Sequence, residues 1–167
     1  HLGAPVVNSP TSRGVLPETN SLVLGCAGII GYEPVGDAIQ EADLVLAIGS
    51  RLSDIQTSRG ELLPTNAPIV QIDIEAAALG REYPLAVGIV SDAKAFADAL
   101  NEILQMEDLP VPELRRQWTA SLADRYTAWR NAWLASSPEN GQVQPQEIVA
   151  ALCQQPPETI YTHGAGD

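Results

Sequence analysis

The sequence predicts an α/β fold, in which an open parallel sheet is covered by helices on both faces. Three segments of strand length are almost continuously apolar, at residues 44–48, Ile69–Asp73 and Val87–Val90. Strands without polar and apolar alternation are typical of parallel sheets that are buried on both sides. Helical patterns lie between these segments, and such alternation of strand and helix indicates the α/β class.

The helices predicted between the strands cover residues 35–41, 75–79 and 92–105, and Gly80 ends the second of them. Farther along, large apolar residues recur at every third or fourth position, which predicts one long amphipathic helix. We expect its aromatic stripe to pack on the domain that it follows. The residues of this stripe are Leu114, Trp118, Leu122, Tyr126, Trp129 and Trp133.

Both ends of the chain have the pattern of βα units that have been cut. Met106 is the only methionine, so we expect residue 1 to be an internal position of a longer chain. Residues 1–7 have the pattern of a helix end, a glycine and a β-branched strand, which indicates that a strand and a helix precede them. Residues 159–162 predict a short strand, and a glycine-rich turn follows it.

We therefore expect three parts. Residues 1–107 form a central α/β domain without its first βα unit, residues 108–143 form a helical linker, and residues 144–167 begin a further domain. A boundary near residue 140 is indicated by the loop-type residues 136–141. Pro145, just beyond them, suits the first position of a new helix.

Charge and composition exclude several kinds of partner. The chain has 9 Lys and Arg against 21 Asp and Glu, a formal net charge of -12. This charge repels phosphate backbones and anionic membrane surfaces, so we expect neither nucleic acid nor membrane as a partner. The longest apolar run, residues 22–32, contains three glycines and is far shorter than the roughly 20 residues of a spanning helix. The two cysteines lie far apart without metal-ligand spacing, which favours a cytoplasmic location and no metal site.

Candidate ligand-binding residues follow the predicted strands at their carboxyl ends, the edge where open α/β sheets bind ligands. Gly49 ends the first strand, and beyond it Arg51 suits a phosphate and Asp54 a hydroxyl group. Alternatively, Arg51 and Asp54 pair with each other. Asp73 suits the two hydroxyls of a ribose or caps the next helix, and Asp92 has the same two interpretations.

Glycines mark two further places where a ligand could approach the backbone. Gly25, Gly28 and Gly31 stand three residues apart, which indicates a loop close to a ligand or to a neighbouring backbone. Gly164 and Gly166 follow the last predicted strand, as in a diphosphate-binding turn, although an ordinary tight turn has the same pattern.

His163, just before the second of these turns, could face a ligand or be scaffold. The sequence offers no nucleophile with a matching base, so we predict no catalytic and no metal-ligating residue in this chain.

Four segments within about residues 2–105 match the motifs of one known family and occur in the same order as in that family. They are residues 8–18 (NSPTSRGVLPE) with 22–25, residues 38–51 (AIQEADLVLAIGSR), residues 71–75 (QIDIE), and residues 83–84 with 91–94. Together they resemble the central domain of thiamine-diphosphate enzymes of the acetolactate synthase type. Residues 51–55 (RLSDI) differ from the RFDDR that is usual there in acetolactate synthases. This difference favours a related enzyme over a true acetolactate synthase.

The resemblance implies a Rossmann-like sheet within a parent of three domains. The outer domains of such a parent supply an activating glutamate and hold the diphosphate through Mg²⁺. The parent acts on a 2-keto acid or an aldehyde by carboligation, decarboxylation or carbon–carbon cleavage, and this fragment alone is expected to be inactive. By position, the residues expected near the thiamine diphosphate are His163, Gly164, Ala165 and Gly166.

Some members of the family also bind FAD or ADP in the central domain. The matching residues here are Gly49, Arg51, Asp54, Asp73 and Asp92. The resemblance further implies a small-molecule substrate, contact with the N- and C-terminal domains of the same chain, and a homodimer or tetramer. The alternatives are a nucleotide-binding or purely structural module without catalysis, and a domain that self-associates through a sheet edge exposed by the missing βα unit.

Overall fold

The computed structural model describes residues 2–107, 110–136, 143–156 and 158–161. The chain divides into two compact units, His1–Tyr126 and Thr127–Asp167. This division falls inside a long helix, Glu113–Ala135, and the limits expected at residues 107 and 143 stay a prediction.

The strands of the described residues form two parallel sheets in the first unit. In one, β1 (Val6–Asn8) pairs with β2 (Val23–Cys26). In the other, β4 (Ile69–Asp73) lies between β3 (Val45–Ile48) and β5 (Val87–Val90). The strands are parallel and helices lie on both sides of the sheets, which confirms the open α/β architecture. β4 and β5 have the predicted limits, and β3 starts one residue later than predicted.

Five α-helices occur in the described residues. α1 begins two residues before the predicted start, because Pro34 suits its first turn. α3 and α4 confirm the predicted helices after β5 and after Pro112. None of these helices combines the length and the apolar character that crossing a bilayer requires. The bounds are α1 Glu33–Gln40, α2 Asp54–Thr57, α3 Ala93–Glu107, α4 Glu113–Ala135 and α5 Pro145–Leu152.

The helix predicted at residues 75–79 is wrong, because this segment forms a single 3-10 turn, Ala76–Ala78. The carboxylate of Asp73 accepts the backbone N–H of Glu75 at 2.9 Å. The side chain of buried Gln71 accepts the N–H of Gly80 at 3.0 Å. These two side chains satisfy the backbone at both ends of the turn, in competition with helical hydrogen bonds.

The strand predicted at residues 159–162 also does not form in residues 159–161, the part of it that the structure describes. Residues 159–161 have no regular structure, and Thr162 lies outside the described residues. Thr159 donates its N–H to Pro156 at 2.9 Å, which is a turn contact. No neighbouring strand accompanies this segment within the described part of the second unit, so a ladder does not form.

The first half of α4 packs on the core beside β2, as the aromatic stripe predicts. Leu122 is 1% exposed there, and Trp118 and Tyr126 pack against the same cluster. Leu114, at the start of the predicted stripe, is instead 78% exposed. The other buried members of this cluster are Leu24, Ala27, Val35 and Ala38.

A polar contact joins α4 to the end of α1. Arg125 donates two hydrogen bonds of 2.8 Å to the two carboxylate oxygens of Glu41. The indole N–H of Trp118 donates to the same carboxylate at 2.9 Å. The Arg125 guanidinium, followed by this indole, holds the pKa of Glu41 below its ordinary value. The ionised form of Glu41 is therefore the one that binds α4.

Acid is expected to weaken this contact between α4 and α1. A lowered folded-state pKa means that the contribution is present above the unfolded value of about 4.5 and is lost as pH falls through the lower folded value. Because both groups are partly exposed, we expect Glu41→Gln to cost about 0.5–1 kcal/mol at neutral pH and a smaller amount at about pH 3. Urea unfolding of both proteins at the two pH values measures this difference. A cost that is the same at both values would contradict the assignment.

Candidate functional site

The carboxyl ends of β3, β4 and β5 lie along one edge of their sheet. These strands are parallel, and Ile48 is level with Ile72 and Asp73 with Val90. Gly49 donates its N–H to Ile72 at 2.8 Å, and Ser91 donates its N–H to Asp73 at 3.1 Å. The sheet therefore brings Gly49 and Asp73 to the same edge and places Asp92 immediately beyond it.

Arg51 pairs with Glu75 and not with Asp54, so the alternative of an Arg51–Asp54 pair is wrong. Its guanidinium lies 2.9 Å from the Glu75 carboxylate. The two side chains are 66% and 56% exposed, and an ion pair this open to solvent contributes little stability. The guanidinium can therefore exchange Glu75 for an anionic ligand at small cost. Glu75 was not among the predicted site residues, since only the register of β3 and β4 brings it to Arg51.

The loop that carries Arg51 is fixed on both sides of that residue. Leu52 has a φ of 50°, and its side chain is buried in a core cluster with Ala47 and Ile69. On the other side, the Gln71 amide donates to the Ser50 carbonyl at 2.9 Å. These two anchors hold the intervening Arg51 toward solvent. Gln71 was also missed, and its signal is a polar residue inside an apolar strand.

Two of the predicted carboxylates bind neighbouring backbone. Asp73 is buried, and one of its oxygens accepts the N–H of Glu75 in a turn. One oxygen of Asp92 accepts the N–H groups of Lys94 and Ala95 at 2.9 and 3.0 Å, which caps α3. The capping interpretation of Asp92 is therefore confirmed. Asp54 is the first residue of α2, after the N-cap Ser53.

Of the three glycines predicted to form a loop close to a ligand or a neighbouring backbone, Gly28 lies against a neighbouring backbone, whereas Gly25 lies within β2 and faces the side chain of Tyr32. Gly28 has a φ of 101°, and a Cβ added to it would lie 2.1 Å from the carbonyl oxygen of Ile55. Ile29 donates its N–H to that same oxygen at 2.9 Å. The loop after β2 is thereby bonded to α2.

His163, Gly164, Ala165 and Gly166 lie outside the described residues. Among the residues that are described, no group of three or more His, Cys, Asp and Glu side chains could hold a metal ion. The described site is thus the edge formed by Gly49, Arg51, Asp73, Glu75 and Asp92.

Comparison with known proteins gives the family of this fold. Residues 1–100 match the family "Thiamine pyrophosphate enzyme, central domain". The chain belongs to this family. The match confirms the resemblance that the four sequence segments indicate, and it covers both sheets of the central domain.

Relatives of this central domain extend the match to nearly the whole chain. An acetolactate synthase of Mycobacterium avium is 30% identical over 165 residues, which are 98% of this chain and 26% of the relative. The acetolactate synthase large subunit of Lactococcus lactis is 32% identical over 148 residues, 89% of this chain and 24% of the relative. The large subunit of Haemophilus influenzae is 30% identical over 158 residues, with 90% and 26% covered. The chain thus spans about a quarter of the length of these relatives.

Proposed function

We propose that this chain is the central domain of a larger thiamine-diphosphate-dependent enzyme that makes or breaks a carbon–carbon bond beside a carbonyl group. Its substrate would be a 2-keto acid or an aldehyde. The family match over residues 1–100 carries the proposal, and the relatives that span nearly the whole chain are named acetolactate synthases. Mg²⁺ for the diphosphate, a homodimer or tetramer and a cytoplasmic location belong to the same proposal.

The residues of this chain are proposed to position other parts of the enzyme. When it is bound, thiamine diphosphate supplies the carbon nucleophile and the electron sink for such reactions. The described residues do not fit a site for it, because they offer no grouping for its metal ion. We therefore assign no chemical step to them. Their contribution is a folded domain on which the first half of α4 is held by Leu122 and by the Glu41–Arg125 pair.

Reading the coding sequence outward from both ends of this chain tests the proposal. We expect an upstream domain with a glutamate that could activate the cofactor, and a downstream domain with a diphosphate-binding turn. Stop codons close to both ends, or unrelated flanking domains, would contradict it and favour a nucleotide-binding or structural module.

We further propose that the edge described above binds an adenine nucleotide, as ADP or as the ADP part of FAD. Arg51 is exposed and weakly held, so it can bind a phosphate. Asp73 uses one oxygen for the Glu75 N–H, and its other oxygen can accept from a ribose hydroxyl. Gly49 has a φ of 61° and no side chain to obstruct the ligand. Asp92 and Asp54 complete the set at the starts of α3 and α2.

Calorimetric titration with ADP and with FAD tests this site. We expect Arg51→Gln and Asp73→Asn each to weaken binding by about tenfold or more, because hydrogen bonds to charged groups are lost. Arg116→Gln is the matched control, since Arg116 is also an exposed arginine in an ion pair but lies on α4. Absence of binding by the unaltered chain, or equal losses of affinity in all three variants, would contradict nucleotide binding and leave this edge with a purely structural role.

A further inference from the structure

A glutamine is buried in the middle of β4, in an otherwise apolar layer. Gln71 is 2% exposed, and it stands level with Ala47 of β3 and Gly88 of β5. Burial of an amide costs free energy unless its donor and its acceptor are both paired. Because strands pair through their backbones, the sheet itself does not require a polar side chain at this position. The side chain must therefore be explained by the groups that it binds.

The two hydrogen bonds of the Gln71 side chain end in loops and not in strands. Its Nε2 donates to the carbonyl oxygen of Ser50 at 2.9 Å, and its Oε1 accepts the N–H of Gly80 at 3.0 Å. Ser50 lies in the loop after β3, and Gly80 lies in the connection from β4 to β5. These are the two loops that border the edge proposed to bind a nucleotide.

The contact with Ser50 acts directly on Arg51. The Ser50 carbonyl belongs to the peptide group that leads into Arg51, so the Gln71 bond fixes the direction in which the chain enters that residue. The buried side chain of Leu52 fixes the chain on the other side. The guanidinium of Arg51 is itself exposed, and its position therefore depends on these two backbone anchors.

The same two loops also meet at the surface, through the pair between Arg51 and Glu75. Glu75 donates its N–H to Asp73, so it stands between the groups proposed to bind the phosphate and the ribose. A phosphate on Arg51 would replace the Glu75 carboxylate, and this exposed contact would be lost on binding. The buried bonds of Gln71 would remain.

We propose that Gln71 is a positioning residue of the nucleotide site. By holding the backbones of Ser50 and Gly80 together, it keeps the Arg51 guanidinium within reach of a phosphate whose ribose binds Asp73. The site then prefers a nucleotide to the nucleoside alone, because a group that is already in place costs less entropy to bind through. This inference rests on the nucleotide binding proposed above.

Calorimetric titration with ADP and with adenosine tests the role of Gln71. Gln71→Met removes both hydrogen bonds and nearly keeps the side-chain volume. We expect it to weaken ADP binding about fivefold or more and to change adenosine binding by less than about twofold. Combined with Arg51→Gln, it should weaken ADP binding no further than Arg51→Gln does alone, since both substitutions remove the same phosphate contact.

Thr119→Val is the matched control. Thr119 is also a buried polar residue that bonds a distant backbone group, because it is 7% exposed and its Oγ1 donates to the Gly3 carbonyl at 3.0 Å. It lies on α4, and both of its hydrogen bonds go to backbone outside the two loops. We expect it to lower stability and to leave the ratio of ADP to adenosine affinity unchanged. The same change of that ratio in Thr119→Val and Gln71→Met would overturn the proposal.

The side-chain amide of Gln71 in the unaltered chain gives a second measurement, which does not require a variant to fold. Its ¹⁵N signal is expected to shift on titration with ADP and not with adenosine, because only a phosphate changes the contacts of the loop that it holds. A signal that stays in place at saturating ADP would overturn the proposal.

The outcomes separate this inference from the functions on which it depends. If the unaltered chain binds ADP and Gln71→Met keeps the full preference for ADP over adenosine, only the role of Gln71 is wrong. If the unaltered chain does not bind ADP, the nucleotide site and the role of Gln71 are both wrong. None of these measurements uses thiamine diphosphate or turnover, so the proposed enzyme function is tested independently.

Discussion

Gly28→Ala is expected to lower the free energy of unfolding by about 3 kcal/mol or more. The new Cβ would lie 2.1 Å from the Ile55 carbonyl oxygen and 3.0 Å from the backbone of Gln56, so the loop after β2 and α2 must separate. The bond from Ile29 to Ile55 would be lost with them. Urea unfolding of the unaltered and substituted chains measures the loss.

Gly14→Ala is the matched control for this substitution. Gly14 also has a positive φ, of 89°, but a Cβ added there would meet nothing within 4 Å. It should cost only the backbone strain of a left-handed residue, about 1–2 kcal/mol. If the two substitutions cost the same, backbone conformation alone would explain Gly28, and the close contact with α2 would have no energetic role.

Leu122→Ala is expected to destabilise the first unit by about 2–5 kcal/mol, since it leaves a cavity in a fully buried site. The side chain is 1% exposed between α4, α1 and β2. Thermal and urea unfolding should both show the loss. The result would establish that the first half of α4 is part of the folded domain.

Leu114→Ala, eight positions earlier on the same helix, is the control for Leu122. Its side chain is 78% exposed, so the substitution should change stability by no more than about 0.5 kcal/mol. A small effect at both positions would show that α4 does not stabilise the domain, whatever its helical content.

The sequence predicted the fold best where local pattern decides structure. β4 and β5 have their predicted limits because apolar runs bounded by turn residues are sufficient to define buried strands. β2 was missed because glycines interrupt its apolar run, and Gly25 has a φ of 99° within the strand. The separation into two sheets could not be predicted, since strand order depends on contacts between distant segments.

The candidate site was predictable in position but not in its pairings. Strand ends marked Gly49, Arg51 and Asp73, and the structure places all three beside one edge. The Arg51–Glu75 pair joins residues 24 positions apart, and only the pairing of β3 with β4 brings them together. The capping bonds of Asp92 are local, so the sequence could indicate them as an alternative.

The central claim is that this chain serves a thiamine-diphosphate enzyme, and turnover by the protein encoded by the complete coding region tests it most directly. The measurement is consumption of a panel of 2-keto acids and aldehydes in the presence and absence of thiamine diphosphate and Mg²⁺. We expect consumption by the complete protein only when the cofactor is present, and none by the 167-residue chain. A folded complete protein that consumes no member of the panel with the cofactor present would contradict the account.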